Sequence, residues 1–302
     1  MCYSAQITSQ YQKFVRAWGA VVDLETFTRL YFLREGQKKP RTPKAMDAWA
    51  GEQAPAILEA VAAQAALELA ATEEELFKQT KRVADAERAL QSKVTKKAQE
   101  DARIGRNKVA QAKARIATLK RNTIEAGDWR FYPGEFAPVM VVENGQRVIK
   151  PMRYQCRLPG WNEQTERQYP GTYNARRDKL AQSWAKLFGY RHGVLCADAF
   201  FEHVERDGRD VVLEFAPDTR EPMLVACLWN VSPTPDGPLL TFAAITDDPP
   251  PEVAAAGHDR CVVPLKPANV DAWLNPNPAD LPALFALLDD RERPYYQHRE
   301  AA

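Results

Sequence analysis

Histidine and cysteine are scarce, with four and five residues in a chain of 302. The cysteines, at 2, 156, 196, 227 and 261, form an odd and scattered set with no C-x-x-C pair. That spacing excludes a zinc cluster of the usual kind and argues against a disulfide framework. Free thiols suit a reducing compartment, so a cytoplasmic protein is expected. No uninterrupted run approaches the ~20 apolar residues of a membrane span, and Gln, Lys and Arg interrupt the first twenty positions where a signal peptide would be apolar. Net charge is also missing: 41 basic against 40 acidic residues leave +1, so a nucleic-acid surface would have to be a local patch. A hydrophobic content of 45% is ample for a core.

Along the chain, three textures follow one another. Residues 5–35 read as a strand start and then an amphipathic helix with Phe14, Trp18, Val21 and Val22 on one face, followed by the apolar run Leu30 to Leu33. A basic, proline-punctuated linker covers 36–44. From about 52 to 122 the composition turns to Ala, Glu, Lys, Gln and Arg, with Leu69, Leu76, Val83 and Leu90 recurring every seven residues. This predicts a helical hairpin, with Thr72 and Glu75 placed as a capping box that starts a new helix. Its charge is uneven: residues 91–122 hold ten bases against two acids, and 52–90 hold eight acids against four bases. Either two helices pair opposite charges, or the basic stretch is an arm for a nucleic-acid backbone.

After Gly127 the pattern is that of short strands and turns. Val139 to Val142, Asn144-Gly145 and Arg147 to Ile149 make a hairpin signal. Leu180, Trp184 and Leu187 predict a short helix ending near Gly189. Strands are expected over Gly193–Val204, Val211–Phe215, Met223–Val231 and Leu239–Ile245, with a turn at Asp207-Gly208 and a terminal helix over about 279–288. The expected fold class is α+β: a barrel-like antiparallel core with helices outside it. The core would come from 1–45 and 123–302, with a helical insertion at 46–122.

Chemistry is concentrated first at Cys2. Loss of Met1 would leave an α-amine of pKa near 7.7–8.0 and a thiol near 8.5 on adjacent carbons, both partly nucleophilic at neutral pH. Such a 1,2-aminothiol closes a thiazolidine ring on an aldehyde, or serves as an N-terminal nucleophile on an amide. Three polar groups then interrupt apolar stretches: Tyr173-Asn174-Ala175-Arg176, the acid Glu202 after Phe200-Phe201, and Gly257-His258-Asp259-Arg260 before an apolar strand.

This order resembles the SOS-response-associated peptidase (SRAP) family, the abasic-site-processing proteins. Met1-Cys2, Arg130-Phe131-Tyr132, Pro159-Gly160-Trp161, Asn174-Ala175-Arg176, Asp198-x-Phe200-Phe201-Glu202 and His258-Asp259-Arg260 follow the family's landmarks over about 1–20 and 128–290. The departures are Tyr3-Ser4 for Gly-Arg, Tyr132 for Asn, Gln155-Cys156 for Trp-Gly, His203 for Trp, and Cys261 for Met.

The resemblance implies a covalent crosslink to abasic sites in single-stranded DNA through Cys2, and self-removal of Met1. It assigns Cys2 as nucleophile, Glu202 to proton transfer in imine formation and His258 to sugar-ring opening. Asn174 would hold Cys2 or the sugar. Arg176, Arg177 and Arg260 would hold DNA phosphates, and Trp161 would stack on a base. It implies no metal or organic cofactor. A nucleoid-associated monomer is expected, with no membrane role and with the helical block free to recruit a repair or replication protein. Two other readings stay open: an N-terminal-Cys amidohydrolase or autoprocessing peptidase, and a non-enzymatic DNA-binding or scaffold module built on the long helices.

Overall fold

The computed structural model describes residues 3–32, 40–206 and 208–301. In chain order the first elements are β1 (Ser4–Ile7), α1 (Tyr11–Ala17), β2 (Val21–Val22), α2 (Leu24–Tyr31) and α3 (Lys44–Gln53). Two long helices follow, α4 (Pro55–Ser92) and α5 (Lys96–Lys120). The strands β3 (Arg130–Phe131), β4 (Phe136–Glu143) and β5 (Gln146–Tyr154) precede α6 (Glu163–Gln168) and β6 (Asn174–Arg176). Four longer strands come next: β7 (His192–Arg206), β8 (Arg209–Pro217), β9 (Met223–Thr234) and β10 (Gly237–Asp247). The chain continues through α7 (Pro251–Ala255), β11 (Cys261–Val262), α8 (Val270–Leu274), α9 (Leu281–Asp289) and β12 (Tyr296–Glu300). It divides into two compact units, one of Met1–Gln53 with Glu125–Ala302 and one of Ala54–Ile124.

The first unit is α+β. Five of its strands pair in a closed ring, β10–β5–β4–β7–β9 and back to β10, so no edge is left open within the ring. Four of these contacts are antiparallel, and β5 runs parallel to β10. Alternation puts Phe131, Tyr154, Phe200 and Phe242 out of water, and Phe131 meets Tyr154 and Phe242 at ring separations of 5.2 and 6.2 Å. Burying each such ring is worth about 1.5–3 kcal/mol. The Asn144-Gly145 turn joins β4 to β5 in full register, from Glu143↔Gln146 to Phe136↔Arg153.

Several sequence expectations need correction in this unit. Val21 and Val22 do not extend the first helix; the chain turns at Gly19 and they pair with Val148 and Ile149 of β5. The stretch with Leu180, Trp184 and Leu187 is a series of turns after a single 3-10 turn at Arg177–Lys179, although all three side chains are buried as an amphipathic helix would bury them. The helix expected at 279–288 exists as α9 but does not close the chain: β12 follows it and pairs along β8. Leu33, positions 36–39 of the linker and Asp207 lie outside the described residues. Residues 46–53, placed with the insertion on composition, form most of α3, whose Trp49 packs on Tyr11 and Phe27 at 5.0 and 5.4 Å.

The second unit is a helical hairpin. No new helix begins at Thr72; α4 runs through it, and the Thr72 hydroxyl donates to the Glu68 carbonyl instead of capping. The seam is built of small residues: Ala86 of α4, and Ala98, Ala102, Gly105 and Ala112 of α5, are buried. Gly105 is required there by space, since a Cβ would lie 2.7 Å from Val83 Cγ2. Opposite charges pair across the seam: Arg82–Asp101 at 2.5 Å, Arg106–Glu87 at 2.6 Å, Arg115–Glu68 at 2.5 Å and Lys120–Glu73 at 2.8 Å. The charge asymmetry of the sequence is thus matched in part within the hairpin. Among the described residues α4 is also long and apolar enough, by length and composition, to cross a membrane.

Candidate functional site

Glu202 and His258 meet at one end of the barrel unit. Strand alternation puts Glu202 on the face of β7 that carries Phe200 and Val204, and its side chain is fully buried. His258 arrives from the other direction. The short α7 ends at Ala255, Gly257 turns with φ +101°, and the His258 amide bonds back to the Val253 carbonyl. The loop lies on β7 at Val204, 3.8 Å from where a Gly257 side chain would begin, and the positive φ is what calls for glycine. His258 Nε2 then stands 3.2 Å from Glu202 Oε2.

Burial controls the charge of both groups. An isolated buried carboxylate costs several kcal/mol in desolvation, and the acid protonates instead. Burial pushes the Glu202 carboxyl up to about 9, against the pull of the nearby Tyr3 backbone N–H. Burial also lowers the His258 pKa, opposed by its contact with Arg260. His258 Nδ1 lies 3.0 Å from the Arg260 carbonyl; donating there leaves Nε2 as an acceptor facing the Glu202 acid. The pair at neutral pH is therefore a carboxylic acid against a neutral imidazole, two groups able to give and take one proton between them.

The amino-terminal strand starts at this pair. Tyr3 N–H donates to the Phe201 carbonyl at 3.2 Å, and Ser4 is in register with Phe201. Cys2 itself lies outside the described residues. The other four cysteines are free and buried. Burial pushes the thiols of Cys156 and Cys261 up to about 12 and those of Cys196 and Cys227 well above the ordinary range, so none of the four is a nucleophile at neutral pH.

The remaining sequence candidates divide. Asn174 is buried on β6, in register with Ala244 of β10, and its Oδ1 accepts from the Tyr154 hydroxyl at 3.5 Å. Arg176 follows it opposite Thr246, whose other neighbour is Val262 of β11, so both residues share the end of β10 that leads to the His258 loop. Arg176 is held by Asp178 at 2.8 Å and stands 3.9 Å from Asp248; Arg260 stands 3.7 Å from Asp259. Arg177 turns to α9, bonded to Asp289 at 2.6 Å and lying over the Phe285 ring. Trp161 sits apart from the pair, against Tyr169 at 5.4 Å, on the wall of a cleft whose lining includes neither Glu202 nor His258. Among the described residues no group of three His, Cys, Asp or Glu is placed to hold a metal.

Sequence reasoning did not find the Tyr3 backbone contact, which no side-chain pattern encodes. It also missed three residues of that cleft, the buried Arg157 and Glu166 and the half-buried Arg153. An arginine inside the apolar run Pro151-Met152-Arg153-Tyr154 was the available signal.

The first unit is thus a closed five-strand barrel with an acid–imidazole pair beside the first described residues of the amino-terminal strand. The family model for SOS response associated peptidase (SRAP) matches residues 77–300, and the chain belongs to that family. The match covers Glu202 and His258 and begins after Cys2. No curated protein matches the chain. It is similar to solved structures. A Bordetella bronchiseptica protein is 20% identical with a TM-score of 0.47, over 60% of this chain and 90% of that one. A Bacteroides thetaiotaomicron protein is 14% identical with a TM-score of 0.47, over 58% and 78%. A phage-related protein from Bordetella bronchiseptica is 16% identical with a TM-score of 0.44, over 61% and 85%.

Proposed function

We propose that this protein crosslinks covalently to abasic sites in single-stranded DNA through Cys2, after its own removal of Met1. The observation that carries the reading is the buried Glu202–His258 pair, 3.2 Å apart, next to Phe201, whose carbonyl accepts from the Tyr3 N–H. An abasic sugar is mostly closed, and its aldehyde is exposed only when a proton reaches the ring oxygen. His258 shuttles that proton and Glu202 supplies acid at neutral pH because burial keeps it protonated. The Cys2 α-amine attacks C1′, water leaves with the proton Glu202 gives, and an imine forms. The thiol then adds to the imine carbon and closes the thiazolidine. Asn174 holds the sugar or Cys2 by its amide, and Arg176 and Arg260 take flanking phosphates by exchanging their aspartate partners for phosphate oxygens. No metal or organic cofactor enters these steps. The protein would act on the nucleoid in the cytoplasm as part of the DNA damage response.

The test is a denaturing gel of purified protein mixed with single-stranded DNA carrying one abasic site. A slow-migrating covalent band is expected, lost in Cys2→Ala and retained in Cys261→Ala. Retention of the DNA only under native, low-salt conditions would instead favour a non-covalent binding module. Turnover of an amide substrate with no covalent band would favour an N-terminal amidohydrolase.

A further inference from the structure

A cleft of about 1140 Å³ opens at the start of β10, lined by Arg153, Gln155, Arg157, Trp161, Glu166 and the Thr234–Gly237 turn, among others. From Leu240 to Thr246 the strand rises about 20 Å, so the cleft lies well away from the end that carries Arg176 and leads to His258. Its floor is a charge triad. Arg157, 7% exposed, grips Glu166 Oε2 through Nε at 3.0 Å and Nη2 at 2.8 Å. Arg153 bonds Glu166 Oε1. Two guanidiniums share one carboxylate, itself 4% exposed, so the floor holds one positive charge more than it neutralises. Arg153 Nε is also buried without a hydrogen-bond partner.

Among the described residues no acid other than Glu166 forms an ion pair with either arginine. Arg29 pairs with Glu25 and Arg167 with Glu163, each within its own helix. Asp236, in the turn between β9 and β10, also lines the cleft without pairing with Arg153 or Arg157. The backbone between the two arginines is strained: Gln155, not a glycine, has φ +112°, a conformation that costs on the order of 1–3 kcal/mol and persists where surrounding bonds fix it. Its N–H is held by the Phe242 carbonyl, and its carbonyl accepts from Arg153 Nη2. This bend ends the β5 strand and returns Arg157 to the floor beside Arg153.

We propose that the Arg153–Glu166–Arg157 triad is the floor of an anion site that takes a phosphate group, with the Trp161 ring on its wall. Planar guanidiniums suit phosphate oxygens, and a buried cation in excess gains most from an anion brought to it. The phosphate is either free or part of a single strand running away from the candidate active site. The site stands on its own charges and holds whether or not Cys2 forms a crosslink.

The experiment uses the full chain and two probes, inorganic phosphate and a lesion-free oligothymidylate, measured by equilibrium dialysis and fluorescence anisotropy. Arg153→Met should weaken binding about ten-fold and lower the salt slope by about one. Glu166→Gln, which adds an unpaired positive charge, should tighten it. Competition of the oligonucleotide by inorganic phosphate at the triad assigns a free-phosphate site; an Arg153→Met effect on the oligonucleotide alone assigns a strand phosphodiester. Folded Arg153→Met protein that binds both probes as wild type does, or wild type that binds neither, overturns the proposal. Since neither probe carries a lesion, failure here leaves the crosslinking gel to be judged separately.

Discussion

The two units handle charge in opposite ways. In the helical hairpin, acids and bases remain at the surface and pair across the seam, as Arg115 does with Glu68 at side-chain exposures of 46% and 29%. At the end of the barrel unit, Glu202 is fully buried and, among the described residues, faces a histidine whose own charge burial suppresses. Solvated pairs of the first kind contribute about 0.2–1 kcal/mol each and set helix register. A buried pair of the second kind costs stability and supplies reactivity. That difference separates the part of the chain that holds a shape from the part poised for chemistry.

The largest expected effect removes the buried acid. Glu202→Gln keeps the shape but can no longer transfer a proton, and crosslink formation on abasic DNA should slow by about 10²–10⁴-fold in single-turnover gels. His258→Ala should slow both formation and reversal; wild-type rates in both variants would remove the contrast altogether.

Stability should report the same burial. The folded pKa of Glu202 is raised, so the folded state holds its proton where the unfolded state has lost it, and stability falls as pH rises from the ordinary carboxyl range towards about 9. The slope approaches about 1.4 kcal/mol per pH unit for one group. His258, lowered by burial, works on the acid side: its contribution is complete above the ordinary histidine pKa and declines as pH falls below it. Urea titrations of wild type and Glu202→Gln should show the alkaline slope in the first and a flatter curve in the second.

Smaller effects belong to the hairpin. Gly105→Ala drives a methyl into Val83 and should destabilise α4–α5 by about 1–3 kcal/mol, seen as an earlier helical transition in circular dichroism with crosslinking unchanged. Arg115→Ala should cost no more than about 1 kcal/mol and fade with added salt.

Much of this architecture was legible because local signals agreed with the global fold. The alternating runs of β4, β5, β7, β8, β9 and β10 and the Asn144-Gly145 turn were read in place, as was the alanine-rich hairpin. What escaped depended on distant partners. Val21 and Val22 extend the helical pattern of α1 until β5 offers them a parallel edge. Tyr296–Glu300 reads as a polar tail until β8 pairs with it. Thr72 has the letters of a cap, but the alanines around it continue the helix. For the site, Glu202 and His258 were singled out as interruptions in apolar runs, and the order of landmarks tied them together. Their 3.2 Å separation and their suppressed charges belong to tertiary structure alone. The Arg153–Glu166–Arg157 triad stayed hidden because an arginine in a strand, as Arg153 is in β5, ordinarily marks a solvated face.

The most direct test of the central claim, that burial holds Glu202 as an acid beside His258 at the start of the amino-terminal strand, is the pH dependence of crosslink formation in single turnover. The account predicts a rate that persists to near pH 9 in the wild type before falling, and the loss of that alkaline limb in Glu202→Gln. A wild-type rate that falls away through the ordinary carboxyl range, or a profile identical in the two proteins, would contradict it.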